Sequence, residues 1–194
     1  MILCIGTTPA AQRVMLFRKL SLDAVNRAAA THDGAAGKSI NVAKVLKALG
    51  EEPLAVGFFG GARGEQLRAL LQAQGIELDF VQVKPPTRQC ITVIDESAGS
   101  HTELVEESRP VEPADYERLL TRVRARMPSA RAVVMSGTLT SGGPVDFYSR
   151  CTALAREAGA LSVVDAQGPP LLECLKAAPD LVKPNHSELA ATLG

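Results

Sequence analysis

The feature of this chain that most constrains its fold is the alternation of short apolar runs with segments of helical apolar spacing. The runs predict strands at 2–5, 54–59, 80–83, 133–135, 161–164 and 181–182. Between them, apolar residues recur every three or four positions, as the buried face of a helix requires. Strands that alternate with helices predict an α/β fold, a three-layer doubly wound and mostly parallel sheet with helices on both faces.

Three further segments, 13–20, 90–94 and 102–105, have the composition of strands but do not fit this alternation. We predict that they form a small antiparallel sheet that projects from the main one. No linker, repeat or low-complexity stretch divides the 194 residues, so the sequence predicts one domain with this small sheet attached to it.

Charge and composition exclude several classes of protein. The chain has 21 basic and 21 acidic residues, so it lacks the basic excess of nucleic-acid-binding and membrane-surface proteins. No apolar run approaches the roughly 20 residues of a membrane span, and the N-terminus does not resemble a signal peptide. The four cysteines form no C-x-x-C pair, which argues against a zinc or redox site. We expect a cytoplasmic, reduced protein.

Ligands of an open α/β sheet bind beyond the carboxyl ends of its strands. The polar residues that directly follow predicted strands are therefore the candidates for a site: Gly60–Gly61, Ser136–Gly137, Asp165 and 183–188. The last segment offers an ammonium, an amide and a carboxylate in Lys183, Asn185 and Glu188. Asn185 and Glu188 have the spacing of a capping box, which is the structural interpretation of this segment. The functional interpretation is that Glu188 lies near a bound Mg²⁺ ion, which such a carboxylate usually contacts through water. The structural and functional interpretations are compatible.

The segment Gly37–Lys38–Ser39 resembles the end of a phosphate-binding P-loop. A P-loop also needs a glycine five residues before Gly37, and this chain has His32 at that position. We predict a loop of small residues that opens a helix, with no strand leading into it. Free N–H groups at such a helix start favour an anion, and Asn41 has the reach to bind a sugar hydroxyl. Packing explains the small residues equally well.

Taken together, these segments resemble the PfkB, or ribokinase-like, family of sugar kinases, and in particular its 1-phosphofructokinase, minor 6-phosphofructokinase and tagatose-6-phosphate kinase branch. Residues 37–43 are similar to the family's G-G-K-G-I-N-V-A segment and 87–93 to its T-R-x-N-I-x-I segment. Residues 136–139 match S-G-S-L, Asp165 and Gly168 match D-x-x-G, and 181–188 match [IV]-K-P-N-x-x-E-L. The five matches are co-linear and extend over the whole chain.

The resemblance implies an ATP- and Mg²⁺-dependent kinase that phosphorylates a sugar phosphate, of the fructose 1-phosphate, fructose 6-phosphate or tagatose 6-phosphate class. The small sheet would be the family's lid, which covers the sugar and often mediates homodimers; no nucleic acid or membrane is implied. The resemblance to the family also implies site residues: Gly37, Lys38, Asn41 and Ser136 for the sugar, Arg88 for its phosphate, Lys183 and Asn185 for the ATP phosphates and Glu188 for Mg²⁺.

The chain departs from the family pattern at several positions. Gln12 stands where the family has an aspartate that binds sugar hydroxyls, Ala36 and Ser39 replace glycines, and Cys90 replaces an asparagine. The G-A-G-D segment with the catalytic aspartate is absent, so we expect the base beyond Gly194 and little activity from this chain alone. Alternatives are a non-catalytic sugar-phosphate-binding or regulatory protein, and a kinase for a free sugar or nucleoside.

Overall fold

The computed structural model describes all 194 residues. The chain forms ten strands: β1 (Ile2–Gly6), β2 (Ala10–Phe17), β3 (Ala30–Ala36), β4 (Pro53–Phe59), β5 (Glu77–Gln82), β6 (Arg88–Asp95), β7 (Ser100–Val105), β8 (Ala132–Ser136), β9 (Leu161–Asp165) and β10 (Leu181–Val182). It also forms six α-helices: α1 (Lys38–Ala48), α2 (Gly61–Ala73), α3 (Pro113–Arg126), α4 (Phe147–Glu157), α5 (Gly168–Lys176) and α6 (His186–Leu193).

Six strands make the main sheet, in the order β10–β9–β8–β1–β4–β5, and every neighbouring pair is parallel. The predicted fold class is therefore confirmed. The central strand β1 is buried along its whole length, because helices cover both faces of the sheet. Its successive side chains point to opposite faces, so Leu3 and Ile5 enter one core and Ile2 and Cys4 the other.

The two cores differ in size and in the helices that close them. The larger contains 24 buried residues and is closed by α3, α4 and α5, whose buried side chains include Leu119, Phe147 and Leu171. The smaller contains 11 buried residues and is closed by α1 and α2 through Ile40 and Leu67. None of the six helices is both long and apolar enough to cross a lipid bilayer.

The second sheet, which we call the lid sheet, has the strand order β3–β2–β6–β7. It is mixed rather than antiparallel, because β2 and β6 pair in parallel while β3 and β7 pair antiparallel at its edges. The prediction of an antiparallel sheet was wrong in this respect. β2 follows β1 and β6 follows β5, and both leave the same carboxyl edge of the main sheet in the same direction. Two strands that leave one edge side by side pair in parallel.

The structure also corrects the prediction for the segment before α1. Residues Ala30–Ala36 form strand β3, which pairs antiparallel with β2 and leads directly into the helix. The sequence concealed this strand because three consecutive residues, Thr31, His32 and Asp33, are exposed and polar. A strand at the edge of a small exposed sheet does not need the apolar alternation that identifies a half-buried strand.

A buried carboxylate fixes α3 against the edge strand β5. Asp79, whose side chain is 7% exposed, accepts hydrogen bonds from Arg122 Nη1 at 2.5 Å and from Arg126 Nε at 2.7 Å. Burial alone raises the pKa of Asp79, but the two guanidinium groups outweigh this effect and hold the pKa below 3.8. The group therefore stabilises the folded state in its ionised form.

We expect Asp79→Asn to lower the free energy of unfolding at pH 7 by about 1–2 kcal/mol, because both arginine contacts lose a charged partner. Since the folded-state pKa is depressed, this contribution is complete above the unfolded-state value of 3.8 and disappears as the pH falls through the folded-state value. Urea unfolding at neutral and acidic pH measures the difference. The control is Glu117→Gln, which removes the exposed ion pair with Arg150 and should lower the free energy of unfolding by less than Asp79→Asn does. An equal loss at both pH values would contradict the assignment.

Candidate functional site

The carboxyl ends of β1 and β8 mark the crevice where a ligand is expected. The chain leaves β1 for the lid sheet and returns as α1 on the smaller core, whereas it leaves β8 for α4 on the larger core. Adjacent parallel strands whose connections go to opposite faces leave a crevice between them at the sheet edge. Every segment proposed from the sequence as a ligand contact lies along this edge or beside it.

Hydrogen bonds join the loops at this edge. The hydroxyls of Thr7 and Thr8, which follow β1, both donate to the carbonyl of Thr138, at 3.1 and 3.2 Å. The N–H of Gly137 donates to the carbonyl of Asp165 at 2.9 Å. The ends of β1, β8 and β9 are thus held in one fixed arrangement. The two threonines follow β1, so the rule about strand ends that selected the other candidate residues applies to them as well.

The start of α1 packs directly on the end of β1. Gly37 caps the helix with φ of 118°, a conformation that favours glycine. The buried hydroxyl of Ser39 fills the space beside Gly6, where a Cβ atom would lie only 2.2 Å from Ser39 Oγ. Ser39, at a position where the family pattern has glycine, is therefore matched to a glycine in β1.

Four charged groups meet beyond β9. Lys38 Nζ lies 2.6 Å from Glu188 Oε1 and 3.4 Å from Asp165 Oδ1, and Lys183 Nζ lies 3.6 Å from the same Asp165 oxygen. The hydrogen bond from Lys38, with a second from the N–H of Asn185, holds the pKa of Glu188 below its usual value. Burial lowers the pKa of Lys38, but the two carboxylates outweigh this effect and raise it.

Helix α6 begins at the predicted capping box. Asn185 Oδ1 accepts from the N–H of Glu188 at 2.8 Å, and Glu188 Oε2 accepts from the N–H of Asn185 at 2.9 Å. Each carboxylate oxygen of Glu188 therefore has its own partner, Oε2 in the cap and Oε1 on Lys38. The structural interpretation of this segment is confirmed, and the cap leaves Oε1 directed at the charged cluster.

Arg88 lies on the other side of the end of β1, at the start of β6. Its Nε donates to the carbonyl of Thr8 at 3.3 Å and its Nη1 to the carbonyl of Glu106 at 3.4 Å. No carboxylate lies within ion-pair distance of Arg88, so its positive charge is uncompensated. It lines a small pocket with Thr7, Thr87 and Arg109. Arg109 is a second basic residue at this pocket, and it has no signal in the sequence because it lies in an irregular loop without a motif.

The remaining predicted site residues lie close by. Ser136 ends β8, is 2% exposed, and its hydroxyl is a buried side-chain polar atom without a hydrogen-bond partner. Buried hydroxyls normally have a partner, so an unsatisfied one beside a crevice is a candidate ligand contact. Asn41 lies in the first turn of α1 and is exposed to solvent. The structure brings Lys38, Lys183 and Glu188 together.

The carboxylates of Asp165 and Glu188 provide the hard oxygen atoms that Mg²⁺ prefers. Both already lie within 3.4 Å of a cationic group, the ammonium of Lys38. No group of three or more histidine, cysteine, aspartate or glutamate side chains could hold a metal ion by itself. Two carboxylates nevertheless fit Mg²⁺, which usually keeps several waters and is bound by one or two carboxylates together with substrate phosphates.

Comparison with known proteins places these observations in a family. The family model described as "pfkB family carbohydrate kinase" matches residues 1–194. Tagatose-6-phosphate kinase from two Staphylococcus epidermidis strains is 33% identical over 195 residues, which cover 100% of this chain and 62% of those proteins. The chain thus spans about 62% of the length of these curated relatives.

Solved structures give the same result. A Thermotoga maritima protein described as a possible 1-phosphofructokinase superposes with a TM-score of 0.91 and 28% identity, covering 100% of this chain and 63% of the other. Phosphofructokinase-2 from Escherichia coli in complex with fructose-6-phosphate superposes with a TM-score of 0.87 and 26% identity, covering 98% and 63%. A tetrameric inhibited form of the E. coli protein superposes with a TM-score of 0.89, 26% identity and 98% and 62% coverage.

The contact between Gly6 and Ser39 can be tested directly. We expect Gly6→Ala to lower the free energy of unfolding by about 1–3 kcal/mol, because the new methyl group would overlap the Ser39 hydroxyl. Gly34→Ala is the control, since a Cβ atom there has no neighbour within 4 Å, and should change stability by less than about 0.5 kcal/mol. Ser39→Gly should recover part of the loss in the Gly6→Ala background, as measured by chemical denaturation. Strictly additive losses would contradict the contact.

Proposed function

The chain belongs to the pfkB family of carbohydrate kinases, and we propose that it forms the acceptor-binding part of an ATP-dependent kinase that phosphorylates a hydroxyl of a sugar phosphate. The acceptor belongs to the fructose 1-phosphate, fructose 6-phosphate or tagatose 6-phosphate class. The names of the similar proteins, a tagatose-6-phosphate kinase and phosphofructokinases, support this class.

The main support is the contact between Lys38 and Glu188, which are 150 residues apart in the chain. Lys38 is the first residue of α1, in the segment proposed to bind the sugar, and Glu188 belongs to the segment proposed to bind nucleotide and metal. Their side chains are 2.6 Å apart. A kinase needs its acceptor and its phosphoryl donor side by side, because most of its catalytic effect comes from positioning and charge stabilisation.

A phosphorylated acceptor is supported by the surroundings of Arg88. A guanidinium group forms two parallel hydrogen bonds with a phosphate. It binds the phosphate most strongly where no carboxylate competes for its charge. Arg88 has only carbonyl partners and lines the pocket at the end of β1. In the same proposal, Gly37, Asn41 and the unsatisfied hydroxyl of Ser136 contact the sugar.

Lys183 and Asn185 would hold the ATP phosphates at the start of α6. The free N–H groups and the positive dipole end of a helix start stabilise phosphate charge, and the Lys183 ammonium adds a cation. When bound at Glu188, Mg²⁺ would supply charge neutralisation at these phosphates. The residues of the 194-residue sequence contain no G-A-G-D segment, and we assign no catalytic base among them.

The lid sheet is proposed to cover the acceptor and to pair with a second copy of the chain. Its edge strand β7 is exposed along its whole length, including the apolar side chains of Leu104 and Val105. An exposed strand edge with apolar side chains favours pairing with another chain.

A non-catalytic sugar-phosphate-binding or regulatory protein is a second candidate, favoured by Gln12. Its amide Nε2 donates to Thr92 Oγ1 at 2.7 Å within the lid sheet. An amide at this position cannot replace the charge of the family's sugar-binding aspartate. The two candidates make the same predictions for binding and for the lack of turnover by these 194 residues, and they differ in whether a longer chain that contains these residues and a G-A-G-D segment turns over.

Titration calorimetry with the three sugar phosphates, and with fructose as the unphosphorylated comparison, tests the acceptor class. We expect Arg88→Met to weaken sugar-phosphate binding by about 10- to 100-fold and to leave fructose binding unchanged, because only the phosphate loses a charged partner. Arg131→Met is the control, since Arg131 precedes β8 at the opposite edge of the sheet and pairs with Glu51. Equal effects of both variants, or no binding by the native chain, would refute a phosphorylated acceptor.

We expect the 194-residue chain by itself to release ADP far more slowly than the roughly 1–100 per second of ordinary kinases, because the sequence lacks the segment that supplies the family's catalytic aspartate. A coupled ADP assay with each sugar phosphate measures this rate, and E. coli phosphofructokinase-2 serves as the positive control. Turnover at an ordinary rate would show that a carboxylate within these residues acts as the base.

A further inference from the structure

Lys38 lies where a divalent cation would also be attracted. Its ammonium contacts the carboxylates of both Asp165 and Glu188, and Lys183 adds a second ammonium beside Asp165. The four formal charges sum to zero, so the cluster attracts a further cation only weakly. If the Lys38 ammonium moves away, the three remaining groups carry a net charge of −1 and attract a divalent cation more strongly.

Lys38 is also better able to move than either of the two carboxylates that it contacts. Its side chain is 44% exposed, whereas those of Asp165 and Glu188 are 11% and 13% exposed. A lysine has a flexible four-carbon stem, so the ammonium can exchange one partner for another without a change in the backbone. Glu188, in contrast, is held by the capping box through Oε2 and stays in place when Lys38 leaves Oε1.

We propose that Lys38 couples the two halves of the site: its ammonium occupies the cation position between Asp165 and Glu188 until a sugar-phosphate acceptor draws it away. Binding of the acceptor then raises the affinity for the divalent cation. Because binding free energies are reciprocal, the cation raises the affinity for the acceptor by the same factor. Lys38 is thus a positioning residue as well as a contact of the sugar. The acceptor in this inference rests on the proposed function.

The first test uses Mn²⁺ alone, since free Mn²⁺ can be counted by electron paramagnetic resonance without any enzymatic activity. We expect Lys38→Met to bind Mn²⁺ about 30-fold more tightly than the native chain, the effect of one unit charge on a divalent cation at about 4 Å in water-like surroundings. Lys47→Met removes the same charge elsewhere on α1 and should change the affinity less than about twofold, because Lys47 has no carboxylate partner. Equal or weaker binding by Lys38→Met would overturn the proposal.

Glu188→Gln shows where the Mn²⁺ binds. Glutamine preserves the capping box, so α6 should remain folded, but the carboxylate charge is lost. We expect this change, introduced into Lys38→Met, to abolish the gain in affinity. A gain that persists without the Glu188 carboxylate would mean that Mn²⁺ binds elsewhere, and it would overturn the proposal. Circular dichroism of each variant separates these outcomes from unfolding.

The second test adds fructose 6-phosphate, fructose 1-phosphate or tagatose 6-phosphate, with solutions of each sugar phosphate and Mn²⁺ without protein as the baseline. We expect the acceptor to raise the Mn²⁺ affinity of the native chain several-fold and that of Lys38→Met by less than twofold. The same enhancement in both proteins would overturn the coupling through Lys38. If no sugar phosphate binds, the proposed function fails, whereas the Mn²⁺ comparison still decides whether Lys38 excludes the cation.

Discussion

The rest of the structure depends on the parallel pairing of β1 with both β4 and β8. This pairing places a short, fully buried strand at the centre of the sheet and brings the carboxyl ends of its neighbours to one edge. Because parallel strands require crossovers, each connection between strands of the main sheet contains a helix packed on one of the two cores. Gly6 is essential to this arrangement, since only glycine leaves room for Ser39 at the start of α1.

Charged residues have different consequences in different parts of the molecule. Asp79 is buried and held by two arginines, so it contributes to the attachment of α3. Lys38 and Lys183 instead lie at the open edge of the sheet, where ion pairs contribute little to stability and side chains can change partners. The low cost of such changes makes the open edge suitable for phosphates and metal ions, whereas the buried Asp79 carboxylate with its two arginines suits a fixed attachment.

The sequence predicted the elements whose folding is determined by burial or by local chemistry. The apolar runs of the central strands β1 and β4 were found because both faces of these strands are buried, and the start of α6 because Asn185 and Glu188 form a local capping box. β3 was missed because its exposed residues carry no apolar pattern. The parallel pairing of β2 and β6 and the contact of Lys38 with Glu188 were also beyond reach, since both join residues far apart in the chain and leave no local signal.

The parallel pair in the lid sheet also has a consequence for the order of folding. Residues that face each other across β2 and β6, such as Gln12 and Cys90, are about 80 positions apart. Between them lie β3, α1, β4, α2 and β5, and we expect these elements to fold before the two lid strands meet. Closing such a long loop lowers the conformational entropy of the chain, and the local pairs β2–β3 and β6–β7 do not compensate for this cost. We therefore expect the lid sheet to be completed late. In the folded protein we expect the strands of the lid sheet to separate together, as one cooperative unit of local unfolding, while the main sheet stays intact.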